Sequence, residues 1–176
     1  LRMKTIGLFY AMNAAKTSHI AEKIREDLGG VKVTEVVLIE RAWQNDFQAY
    51  DNMIVGASTW FDGELPTYWD ELIPELETLD LKGKKVAVFG LGDQKNYPDN
   101  FVDGMGILAD AFQKAGAELV GYTSTDGYVF SQSRAVRDGK FCGLVIDQEN
   151  QPQLTAKRVA DWCKQIKEEF ASDKGK

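Results

Sequence analysis

The sequence predicts an α/β protein, an open parallel sheet covered by helices on both faces. Short β-rich apolar runs alternate with longer amphipathic stretches from one end to the other. The runs are almost continuously hydrophobic, as strands buried on both faces are. A length of 176 residues suits one domain with a sizeable core.

The elements follow in order. Thr5–Tyr10 is the first strand, and Thr17–Leu28 is an amphipathic helix stopped by Gly29-Gly30. Val31–Leu38 and Met53–Gly56 are the second and third strands, followed by a helix from about Thr67 to Leu76. Lys85–Gly90 is the fourth strand, and the helix Phe101–Ala115 ends at Gly116. Glu118–Tyr122 begins a fifth strand. A polar run with glycine and serine, Thr123–Lys140, then breaks the alternation before strand character returns at Gly143–Asp147. A structureless excursion of that size is uncommon inside a compact domain. It reads as an inserted loop or small hairpin interrupting the fifth strand. Thr155–Phe170 is the closing helix. With no internal repeat, linker or low-complexity segment, residues 3–172 read as a single domain.

Twenty-seven acidic against 21 basic side chains give a net charge of -6, which argues against a nucleic-acid binder and for basic partners. Cys142 and Cys163 lack the number and spacing of a disulfide framework or a zinc site, so a reducing compartment, the cytoplasm, is expected. No apolar run reaches the roughly 18 residues of a membrane span, and the N-terminal stretch lacks a signal-peptide core. No nucleophile and base are paired in a way that would indicate a hydrolase.

In an open α/β sheet, ligands bind beyond the carboxyl ends of the strands. Three loops lie there. The first, Ala11-Met12-Asn13-Ala14-Ala15-Lys16-Thr17, leads into a helix N-terminus, where backbone N–H groups favour an anion and Lys16 and Thr17 add a cation and a hydroxyl. It matches neither common nucleotide fingerprint, and an ordinary strand-to-helix turn is the other reading. The second loop runs from Ser58 and Thr59 through Trp60, Phe61, Asp62 and Gly63 to Pro66. The third runs from Gly92 and Asp93 through Tyr97 to Asn100. Trp60 and Tyr97 read either as loop-packing anchors or as a pair flanking a flat ring. A planar ring with a phosphate tail would use all three loops.

At this point the chain resembles the flavodoxins, specifically the long-chain type with an interrupted fifth strand. The similarity runs from Thr5 to Phe170. It is carried by Phe89-Gly90-Leu91-Gly92-Asp93-Gln94 with Tyr97 and Asp99-Asn100-Phe101, by Ser124-Thr125-Asp126-Gly127-Tyr128-Val129-Phe130, and by Gly139-Lys140-Phe141-Cys142-Gly143-Leu144 leading to Asp147 and Asn150-Gln151. The resemblance implies a flavodoxin-like five-stranded parallel sheet of order 2-1-3-4-5. It also implies one non-covalent FMN and a role as a low-potential one-electron carrier rather than an enzyme. It casts Trp60 as the inner stacking ring, Tyr97 as the outer one, and Phe61-Asp62-Gly63 as the peptide at the flavin N5 edge. It places the 92–100 loop, with Asp93, on the pyrimidine edge, and Asp147 and Glu149 near the ribityl and flavin region.

The first loop departs from the family pattern Thr/Ser-x-Thr-Gly-x-Thr, since Met12, Asn13, Ala14, Ala15, Lys16 and Thr17 fill those positions. Two hydroxyls and a glycine are missing. At ~1.5 to 3 kcal/mol per hydrogen bond to a charged phosphate, the loss amounts to roughly two to four decades of affinity before compensation. Alanine at position 15 also resists a positive φ.

Seven acidic residues and no basic one lie between Ser58 and Asp80, where they would lower the flavin potential and steer basic redox partners. The expected partners are an NADPH-dependent flavin reductase and low-potential acceptor enzymes, met by a monomer. The alternatives are a flavodoxin-like FMN-dependent quinone or small-acceptor reductase and a flavodoxin-like module with weakened FMN binding.

Overall fold

The computed structural model describes residues 4–12, 14–59 and 63–172. Within them, β1 (Ile6–Tyr10), β2 (Thr34–Leu38), β3 (Asn52–Ser58), β4 (Lys85–Leu91), β5 (Glu118–Val120) and, after an insertion, β9 (Gly143–Ile146) form one parallel sheet of order β2-β1-β3-β4-β5, with β9 also on β4. The helices are α1 (Ala15–Leu28), α2 (Gln44–Gln48), α3 (Thr67–Leu76), α4 (Asp103–Lys114) and α5 (Thr155–Ala171).

The two-residue period of a strand divides the apolar side chains between two cores. On one face Ile6, Leu8, Ile54, Ala87, Phe89, Leu144 and Ile146 pack against Ile20 and Ile24 of α1 and Val159, Trp162 and Ile166 of α5. On the other, Phe9, Met53, Val55, Val86, Val88 and Val145 pack against Phe47 of α2, Trp69 of α3 and Leu108 and Phe112 of α4. Trp69 is fully buried, and its indole N–H donates to the Gly56 carbonyl at 2.9 Å.

The fifth strand is interrupted as expected. Residues 118–120 pair with β4 at 85–87, and residues 143–146 continue the same edge at 88–91. The intervening segment is more than a hairpin. β6 (Thr123–Ser124), β7 (Val136–Arg137) and β8 (Lys140–Phe141) form a three-stranded antiparallel sheet of order β6-β8-β7. Its rings anchor it to the main body, with Phe141 and Phe130 lying 6.1 and 5.4 Å from Phe101. Gly106 of α4 lets the insertion backbone approach closely, because a Cβ there would lie 2.5 Å from the Arg134 carbonyl.

Several boundaries differ from the sequence reading, among them the starts of β2, α1 and α4. β2 starts at Thr34 rather than Val31, because Gly29 and Gly30 take positive φ and Gly30–Lys32 form a 3-10 turn closed by Val33 N–H on the Gly30 carbonyl. α1 starts two residues earlier, at Ala15. α4 starts at Asp103, not Phe101, because buried Val102 holds φ +48°, a left-handed conformation that a β-branched residue takes only under tertiary constraint.

Candidate functional site

The first loop leaves β1 at Tyr10 and enters α1 within four residues. Ser18 N–H makes a helical bond to the Ala14 carbonyl at 2.8 Å. The N–H groups of the turn before it have no intrahelical acceptor, and they point out of the helix N-terminus together with the positive end of its dipole. The first turn contains no acidic residue, and Ala14 supplies no side-chain cap. Ala15 is already helical and lies outside the positive-φ positions, so the strain expected of an alanine there does not arise. Met12 is half exposed, and its N–H donates to Glu40 Oε1 at 2.9 Å rather than toward an anion.

A cavity of about 300 Å3 opens at this helix end, lined by Ala11, Ala14, Ala15, Lys16, Thr17, Ser58, Pro66 and Tyr68. Five candidate residues, Ala14, Ala15, Lys16, Thr17 and Ser58, therefore share one wall system. Thr17 is 1% exposed, and its hydroxyl has no hydrogen-bond partner among the described residues. Leaving a hydroxyl buried and unmatched costs about 1–3 kcal/mol, so this atom marks a place for an incoming acceptor. Pro66 and Tyr68 were not anticipated from the sequence. Tyr68, 39% exposed in the first turn of α3, carried the one available signal, an aromatic next to the loop end.

The second loop is braced by α4. Thr59 Oγ1 accepts the Gly104 N–H at 3.0 Å, so this candidate caps a helix start. Gly63, at φ +82°, leaves no room for a Cβ, which would fall 2.8 Å from Asp103 Oδ2 and 3.2 Å from Asn100 Cβ. Burial pushes the Asp103 carboxyl up, against the opposing backbone N–H and charge of Arg134. Asn13, Trp60, Phe61 and Asp62 lie outside the described residues.

The third loop is a turn built on Asp93. Its Oδ1 accepts the Asn96 N–H at 3.0 Å and the Asn150 side-chain amide at 2.8 Å. Burial raises the Asp93 carboxyl, but the donors from Asn150 and Asn96 outweigh it and hold it below the usual carboxylate range. Gly92 gives Val102 and Phe101 room, since a Cβ there would meet Val102 Cγ1 at 2.8 Å. Tyr97, 40% exposed, stands at the end of this turn, with its N–H on the Asp93 carbonyl.

Asp147, expected in the segment near the ribityl and flavin region, lies just past the end of β9 with its side chain turned into the protein. Its carboxylate is fully buried and engaged by protein donors: Gln94 N–H at 3.1 Å, Gln94 Nε2 at 2.7 Å, Asn150 N–H at 3.0 Å and Asn150 Nδ2 at 2.9 Å. Gln94 Oε1 in turn accepts the Val129 N–H at 2.6 Å. One buried group thus ties the third loop to the β9–α5 turn and the insertion. From the end of the second loop along α3 to the turn after it, Glu64, Asp70, Glu71, Glu75, Glu77 and Asp80 are all exposed.

A flavodoxin family model matches residues 8–162. A flavodoxin of Synechococcus elongatus is 44% identical over 168 residues, covering 96% of this chain and 99% of the relative. One from Nostoc is 46% identical over 167 residues, covering 95% and 98%. Among solved structures, a Fusobacterium nucleatum flavodoxin bound to flavin mononucleotide superposes with a TM-score of 0.90 at 37% identity, covering 96% of this chain and 99% of that one.

Proposed function

This chain belongs to the flavodoxin family, and from that premise we propose that it is an FMN-bearing electron carrier shuttling single electrons between a reductase and low-potential acceptor proteins. Its relatives are electron-transfer flavoproteins rather than enzymes, which sets the reductase alternative aside. One observation carries the fit to FMN. Thr17, whose buried hydroxyl has no partner among the described residues, lines a cavity at a helix N-terminus whose first turn has no acidic residue.

FMN, when bound, supplies the redox chemistry. The chain's own residues do the rest. Thr17, Lys16 and the first-turn N–H groups hold the phosphate by charge-assisted hydrogen bonds and the helix dipole. Ser58 closes the cavity wall beside them. Asp93 holds the 93–97 turn, whose backbone groups would meet the pyrimidine edge of the flavin. Asp147 acts as a positioning residue, fixing that turn against the rest of the fold. Tyr97 and Trp60 are proposed to cover the ring and keep water from it.

A single domain over residues 3–172, acting as a monomer in the cytoplasm, completes the reading. No helix among the described residues is long and apolar enough to cross a membrane. The exposed acidic residues between Glu64 and Asp80 favour a basic partner. Electron transfer from a basic NADPH-dependent flavin reductase is therefore expected to slow steeply as salt shortens the Debye length from about 30 Å at 0.01 M to about 8 Å at 0.15 M. Stopped-flow traces with salt-independent rates would contradict the steering.

A further inference from the structure

Lys16 has a partner within the protein. Its ammonium pairs with the Glu149 carboxylate, 133 positions away in sequence, and so bridges the phosphate loop to the β9–α5 turn. Glu149 does not belong to a loose surface segment. It lies in a turn closed by Gln151 N–H on the Asp147 carbonyl at 2.9 Å and by Asn150 N–H on Asp147 Oδ1 at 3.0 Å, and Asp147 is itself fully buried. The carboxylate is therefore presented from a fixed frame.

The pair has a physical reason. A lysine in the first helical turn adds positive charge to the positive end of the dipole, which is unfavourable until an anion arrives. No acidic residue of that turn compensates it. Glu149 supplies the missing negative charge from another element. An incoming phosphate offers the same ammonium a better site, one that also satisfies Thr17, so the two anions compete for a single cation.

We infer that Glu149 is the displaceable counter-ion of the phosphate site: it holds Lys16 while the site is empty, yields it to the FMN phosphate, and thereby tunes discrimination between FMN and its dephosphorylated form. The inference rests on the FMN reading above, and it goes beyond it by assigning a function to a residue that need not touch the ligand. The ion pair is solvent-exposed, with side-chain exposures of 69% and 48%, so the effect is modest. Exposed pairs of this kind correspond to a change of about two- to five-fold in an equilibrium constant.

The test is a double-mutant cycle read by equilibrium binding to apoprotein, with FMN and riboflavin as the two probes. Glu149→Gln is expected to tighten FMN binding about two- to five-fold and to leave riboflavin binding unchanged, which also certifies the folded site. In the Lys16→Met background the same substitution is expected to change FMN binding no further. An equal gain with and without Lys16 would overturn the inference, because Glu149 would then act by simple repulsion of the phosphate. So would parallel shifts for FMN and riboflavin, or no shift at all. Failure of the unsubstituted protein to bind FMN would instead overturn the cofactor reading and the inference with it.

Discussion

Thr17→Val is expected to make the apoprotein more stable and the holoprotein weaker. The two signs come from one atom. Among the described residues the buried Thr17 hydroxyl has no partner, and replacing it by a methyl removes an unmatched polar group at nearly constant volume. The expected gain is about 1 kcal/mol, the low end of the cost of an unsatisfied buried hydroxyl. With FMN bound, the same change deletes a hydrogen bond to a charged phosphate, worth about 1.5–3 kcal/mol, or roughly 10- to 150-fold in dissociation constant. Urea unfolding of apoprotein and FMN titration of the variant separate the two. A destabilised apoprotein with unchanged FMN affinity would mean that Thr17 is an ordinary core residue.

Asp147→Ala is expected to cost about 3–5 kcal/mol of folding stability, because several donors lose their acceptor at about 1–3 kcal/mol for each one left unmatched. Gln94 N–H, Gln94 Nε2 and Asn150 N–H are stranded, while Asn150 Nδ2 keeps only Asp93 Oδ1. Against a typical total of about 5–15 kcal/mol, this is a large fraction. Asp147→Asn keeps one acceptor oxygen and should lie between alanine and the parent. Because Asp147 also frames the turns carrying Asp93 and Glu149, FMN affinity should fall with stability in both variants. An alanine variant whose urea midpoint hardly moves would refute the network's role.

The sheet was legible because its strands are apolar on both faces and separated by helices of clear 3.6-residue period. The interruption of the fifth strand was legible for the converse reason, a polar stretch where a helix should follow. Its internal sheet was not, since strands of two residues such as Val136–Arg137 carry no periodic pattern. Helix α2, five residues long, is below the length at which periodicity speaks. At the site, Ala14, Lys16, Thr17 and Ser58, singled out from their loop positions, line one cavity. The internal partners of Asp147 were not legible, because its donor Gln94 lies 53 positions away in sequence. The partnership of Lys16 with Glu149 depends on the same kind of long-range closure.

The atypical phosphate loop concentrates the whole account. Met12 and Ala14 bring no hydroxyls, so the proposed phosphate site rests on Thr17, Lys16 and the helix N-terminus. Titrating apoprotein with FMN and, in parallel, with riboflavin while following quenching of protein and flavin fluorescence measures that directly. The account predicts saturable one-to-one binding of FMN, substantially tighter than riboflavin. Absence of quenching at high micromolar FMN, or equal affinity for the two ligands, would contradict it.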